Sequence, residues 1–313
     1  MNNNRILYFD IARSVCVIYI ICFWHIGDYI GISYPKLFTD ITTGVLATFT
    51  FLSGLFLSKK RMSICEFYKR RLSRFFFLFL IACITYYMAG SIKSSSQLLL
   101  AITGLSCFMP PQPMTLWYFC MLIVFYFITP FILYKANSTK ILLARAVSSF
   151  IILAFVITIC GGGDHRIPQY LVFYLLGFFI PLDILKSEKI ASWVLILGAL
   201  FCVVSKYYPS KVFTDFIFPL GVICLLITLA YFLEKVINAF MKKAIVTISY
   251  LSMAAYLFHR QWYGIFKIIF MKDGQLLPYF IVPIMIFSLL VVAWCIQYFY
   301  DKTFKIVKNE LAK

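Results

Sequence analysis

Apolar runs of membrane-crossing length recur along this whole chain, at about residues 8–30, 41–58, 75–92, 116–134, 141–160, 168–185, 190–207, 214–233, 250–271 and 278–300. A helix needs roughly 20 apolar residues to cross about 30 Å of hydrocarbon. Lipid offers no partner to backbone N–H and C=O groups, so such runs satisfy them internally as helices. The expected fold is an all-α integral membrane protein: a bundle of about ten transmembrane helices forming one domain over residues 1–313. The stretch 98–108 is too short to span and runs into Pro110, Pro111 and Pro113, which predicts a re-entrant or interfacial piece. With 63% hydrophobic and 13% charged residues, the chain is too apolar for a soluble core of 313 residues. Little sequence follows the tenth run, so the spans are expected to act alone or with a separate partner.

Charge fixes the expected orientation. With the N-terminus in the cytoplasm, the loops on that side carry 19 Lys and Arg residues and the opposite loops carry 6. The positive-inside rule then places both termini in the cytoplasm, in a multi-pass protein of the cell membrane. The net charge of +17 reads as topology and contact with membrane lipids, and nucleic acid is not an expected partner. The first run is not expected to be a cleaved signal, because Asp10 and Arg13 interrupt it and no small-residue cleavage site follows. The ten cysteines are scattered singly without C-x-x-C or metal-like grouping, so no metal is expected. Asn137-Ser-Thr139 matches a glycosylation triplet but falls on the cytoplasmic side of this topology.

The polar residues of the first run are the best handle on chemistry. A cation deep in a span costs about 2.5 to 3.5 kcal/mol on insertion scales, which makes Arg13 a functional candidate. His25 can insert neutral and is the side chain best suited to take a hydroxyl proton near neutral pH. At 1.5 Å per residue it lies about 18 Å along the helix from Arg13, in the outer half of the bilayer.

Asp10, Arg13 and His25 resemble the opening signature of the acyltransferase-3 family, integral membrane enzymes that move acyl groups onto sugars and other acceptors. Phe51-Leu-Ser-Gly54, the basic Tyr68-Lys-Arg-Arg-Leu-Ser-Arg74, Leu116-Trp-Tyr-Phe119 followed by Tyr126 and Pro130, and Ser252-Met-Ala-Ala-Tyr-Leu-Phe-His259 resemble further elements of that family, in its order. One feature departs from it. The family usually places ten residues between the Arg and the His; here residues 14 to 24 make eleven. At about 100° per residue, a separation of eleven positions returns to within about 20° of the starting face, whereas twelve lands about 120° away. A single π-bulge between Arg13 and His25 would absorb the extra residue, and one is predicted there.

The resemblance implies an O-acetyltransferase that carries acetyl from acetyl-CoA to a hydroxyl of a surface polysaccharide, another secreted glycan or a lipid-linked sugar precursor. Arg70, Arg71 and Arg74 are the expected sites for the CoA phosphates: Arg71 and Arg74, at i and i+3, share a helix face and meet phosphate oxygens bidentately, and Arg70 adds charge. The competing reading of these residues is plain obedience to the positive-inside rule. His25 is the expected general base, with Arg13 beside it in the catalytic set and Asp28, three residues on, orienting the imidazole. His259 is a candidate for binding acceptor or thioester carbonyl, against a role in bridging helices. Trp117 is a candidate to stack on a sugar, against a role as interface anchor. His165 falls in an outer loop and Ser53 lacks a neighbouring base, so neither is expected to carry chemistry. The alternative function is a multi-span transporter or flippase in which Arg13, His25 and Asp28 line a path.

Overall fold

The computed structural model describes residues 6–58, 62–161, 163–208, 210–270 and 278–310, without the side chains of residues 70, 72–74 and 304–310. Among the described residues there are helices and no strands. The helices are α1 (Leu7–Ile18), α2 (Gly27–Ile30), α3 (Lys36–Ser58), α4 (Ile64–Met88), α5 (Ser95–Thr103), α6 (Trp117–Leu133), α7 (Thr139–Cys160), α8 (Arg166–Phe179), α9 (Glu188–Tyr207), α10 (Phe218–Val236), α11 (Ala239–Phe270) and α12 (Val282–Glu310). π-helical turns join α1 toward α2 at Tyr19–Trp24 and lead into α10 at Phe213–Ile217.

Helix lies over each of the apolar runs marked in the sequence. Six helical segments among the described residues are long and apolar enough to cross a membrane: Leu7–Ile30, Lys36–Ser58, Thr139–Cys160, Glu188–Tyr207, Phe213–Val236 and Tyr279–Thr303. The others fall short for visible reasons. The apolar part of α4 is confined to Phe75–Met88, α6 has 17 residues and α8 has 14. Polar and basic side chains dilute the 32 residues of α11. The stretch 98–108 forms the nine-residue α5 and a 3-10 turn at Leu105–Cys107, too short to cross.

Serines start four helices by accepting a first-turn amide: Ser63 from Glu66, Ser94 from Gln97, Ser138 from Ile141 and Ser187 from Ile190. The cap on α7 gives the Asn137-Ser-Thr139 triplet a structural role.

The chain forms two compact units. The first comprises the chain up to Leu55 together with Phe179–Ala293. Here α1 packs on α10 and α11. Polar pins hold it: the Tyr8 amide donates to Glu234 at 3.0 Å, Ser14 Oγ to the Ile245 carbonyl at 3.0 Å and Ser249 Oγ to Asp10 at 2.7 Å. Such bonds fix register where lipid supplies little hydrophobic drive between helices. Where α9 meets α10, a Cβ on Gly221 would stand 2.8 Å from the Gly198 carbonyl oxygen, so only glycine allows the backbones this close.

The second unit comprises Phe56–Phe178 and the chain from Trp294. Phe75 of α4 stacks against Phe119 of α6 with centroids 5.3 Å apart, and Tyr68 Oη donates to the Phe127 carbonyl. Pro130 sits inside α6, and Arg145 of α7 donates to the Phe131 and Tyr134 carbonyls near its end. A cation bonded to C-terminal carbonyls complements the helix dipole and explains this arginine inside an apolar run.

Candidate active site

The predicted π-bulge is present. Residues Tyr19–Trp24 are π-helical and the His25 amide donates to the Ile20 carbonyl, five residues back, at 2.9 Å. The turn absorbs the eleventh residue, as a shared side for Arg13 and His25 requires. Two tyrosines bond carbonyls of the widened turn: Tyr263 Oη donates to Ile21 at 3.1 Å and Tyr34 Oη to Phe23 at 2.6 Å. Hydroxyls inserted at a disturbed ladder are a usual way to keep its carbonyls satisfied. Tyr34 can reach because Gly27 lacks a side chain, for a Cβ there would stand 2.4 Å from the tyrosine ring.

The turn delivers His25 to His259 of α11. His25 Nδ1 and His259 Nε2 lie 2.6 Å apart, and the ring planes differ by 7° with centroids 4.7 Å apart. Two stacked rings cannot approach closer than about 3.5 Å, so these meet edge to edge through one hydrogen bond. On its far side His259 Nδ1–H donates to the Tyr256 carbonyl at 2.7 Å. His259 is fully buried and His25 is 9% exposed. The rings of Tyr256 and Tyr263 stand edge-on to His259 and wall the pair. Among the described residues, Nε2 of His25 has no hydrogen-bond partner.

Asp28 takes a different partner from the expected one. Its carboxylate accepts from Arg260 Nη2 at 2.9 Å, while the Nδ1 edge of His25 is occupied by His259. The side turn after the π segment carries Asp28 outward to 60% exposure, where the next residue of α11 meets it. The Nε–H of Arg260 is buried without a hydrogen-bond partner. Arg13 is half-buried on α1, one turn after Asp10. Ser53 Oγ donates to the carbonyl of Phe49 in its own helix, which occupies its proton.

In the other unit, Arg71 is half-buried on α4. The side chains of Arg70 and Arg74 lie outside the described residues. Trp117 carries the Arg166 guanidinium 3.7 Å over its ring. That guanidinium holds Asp164 through both carboxylate oxygens and also donates to Gln112. Burial alone would raise the Asp164 carboxyl, but the Arg166 bonds and charge, with Gln112, outweigh it and hold the group below the usual carboxylate range. His165 is exposed.

Sequence reasoning missed the Arg166 cluster and the meeting of His25 with His259 across 234 positions. The only trace of the latter was a second histidine deep in an apolar run.

A helical, membrane-type chain with a hydrogen-bonded imidazole pair buried beside a guanidinium defines a site suited to proton transfer. The acyltransferase-3 family model, an acyltransferase domain, matches residues 6–298, and the chain belongs to that family. It is accordingly a multi-pass membrane acyltransferase. No curated protein and no solved structure matches the chain.

Proposed function

We propose that this acyltransferase transfers an acetyl group from cytoplasmic acetyl-CoA to a hydroxyl of a surface or secreted glycan, or of its lipid-linked precursor, with His25 as general base. The supporting observation is the buried His25–His259 pair, reached through the π-turn and leaving one imidazole nitrogen of His25 unbonded. The acceptor hydroxyl gives its proton to that nitrogen while its oxygen attacks the thioester carbonyl. The C–O bond forms, the C–S bond breaks, and the thiolate of CoA takes the proton back from His25. The buried Nε–H of Arg260 is the donor we assign to the developing oxyanion. Arg13 supplies positive charge on the cytoplasmic side of the same helix, and Asp28 holds Arg260 in place.

Arg71, together with Arg70 and Arg74, is assigned to the CoA phosphates, and Trp117 to an acceptor sugar. The orientation that goes with this reading has ten spans and both termini in the cytoplasm of the cell membrane, as the loop charges favour. Membership of an acyltransferase family favours chemistry over a transport path through Arg13, His25 and Asp28.

The test is purified protein in liposomes with radiolabelled acetyl-CoA and an extract of surface glycans. Label entering glycan with the native chain and absent with His25→Ala supports the reading. Absence of label from acetyl-CoA and longer acyl-CoA donors, with both proteins folded, overturns it.

A further inference from the structure

We infer that His259 is a positioning residue that fixes His25 in the tautomer whose lone pair is on Nε2, the nitrogen left unbonded. The inference rests on the reading of His25 as base and supplies which atom accepts the proton.

A carbonyl oxygen only accepts, so the 2.7 Å contact to Tyr256 requires a proton on His259 Nδ1. A 2.6 Å contact between two ring nitrogens holds one proton, on one of them. If it sat on His259 Nε2, that ring would carry both protons and a full charge in a completely buried position next to the Arg260 guanidinium. Burying an uncompensated charge beside a like charge is the costlier arrangement. The proton therefore belongs to His25 Nδ1, and His259 Nε2 accepts it. A neutral imidazole with Nδ1 protonated has its lone pair on Nε2.

The backbone carbonyl of Tyr256 thus sets the tautomer of a histidine on a different helix through one intervening ring. When His25 Nε2 takes the acceptor proton, Nδ1–H keeps its bond to His259 and the imidazolium keeps its orientation. The arrangement does for His25 what a buried carboxylate does for the histidine of a serine protease, with a neutral acceptor in place of a charged one.

The chain has three histidines, which makes the tautomers directly readable. Protein labelled with ¹⁵N-histidine in detergent, with His25→Ala and His165→Gln spectra for assignment, gives the protonation of each ring nitrogen through two-bond ¹H–¹⁵N couplings. The expected native result is His25 with Nδ1 protonated and Nε2 bare, and His259 likewise. A native spectrum with His25 protonated on Nε2 overturns the inference, whether or not acetyl transfer has been observed.

The variants add a second readout. His259→Leu removes the acceptor and is expected to leave His25 in a tautomer mixture and to lower kcat about 10- to 100-fold with KM for acetyl-CoA little changed, because a base histidine in the wrong tautomer loses up to about 10⁴. His259→Gln, whose carbonyl oxygen accepts from Nδ1–H, is expected to restore the Nε2 lone pair and part of kcat. If His259→Leu fails to fold, the native spectrum still decides. If His25→Ala retains transfer while the native spectrum is as expected, the base reading fails and the tautomer assignment stands.

Discussion

The two polar clusters of this protein solve opposite problems. At Trp117 the charged groups are paired: Arg166 donates to Asp164 and Gln112 and lays its plane on the indole. At His25 two imidazoles bond each other and the set is left one bond short, at Nε2. A charge-paired cluster holds structure, because its carboxylate and guanidinium already have each other. An unsaturated one, flanked by Tyr256 and Tyr263, has free energy still to give to a substrate.

The largest test of this contrast is His25→Ala. It is expected to lower kcat by about 10² to 10⁴, the range a general base supplies, with little change in thermal midpoint. An equal loss from Asp164→Ala would erase the distinction between the clusters.

Next comes the register of the first helix. Inserting one alanine after Cys22 adds about 100° of rotation and is expected to reduce transfer to the His25→Ala level. Deleting Cys22 restores the family's usual spacing and is expected to keep transfer within about tenfold of native, with the π-turn replaced by α-helix. Inactive deletion and active insertion would together break the account of the turn.

Arg71→Ala is expected to act on KM alone, raising it about tenfold for acetyl-CoA, which corresponds to about 1.4 kcal/mol of lost phosphate contact. Initial rates against acetyl-CoA concentration check it, and a fall in kcat at unchanged KM would contradict it.

The smallest effect is expected at the charge-paired cluster. Asp164→Asn should lower the thermal midpoint in detergent by a few degrees, for about 1 kcal/mol of weakened charge-assisted bonding. Its pH dependence has a definite sign. The Asp164 carboxyl is held below its unfolded value, so its contribution is present above about pH 4 and is lost as the pH falls through the folded value. The native protein should therefore lose more stability below pH 4 than Asp164→Asn does.

Much of this was legible in the sequence. Helix was forced by apolar runs that leave backbone groups no other partner, and a helix lies over each run. The π-turn was legible too, since one extra residue between Arg13 and His25 can be counted. What could not be read was which distant face each residue would meet. Spacing along the first apolar run put Asp28 on the side of His25, but α11 supplies both Arg260 for the carboxylate and His259 for the imidazole. Period and composition describe a helix by itself; the partner across 234 positions is chosen by packing. Trp117 likewise reads as an interface anchor or a platform for a sugar, and nothing in its spacing shows that Arg166, 49 positions away, lies on its ring.

The π-turn at Tyr19–Trp24 also bears on how such a chain can change over generations. An inserted residue in an ordinary helix rotates everything beyond it and would oblige every neighbouring helix to be rewritten at once. Here the added length is confined to one turn, with the loosened carbonyls of Ile21 and Phe23 taken up by Tyr263 and Tyr34. The residue added to the first apolar run therefore leaves the pairing of His25 with His259 intact, and the insertion is absorbed by two tyrosines that meet the loosened turn.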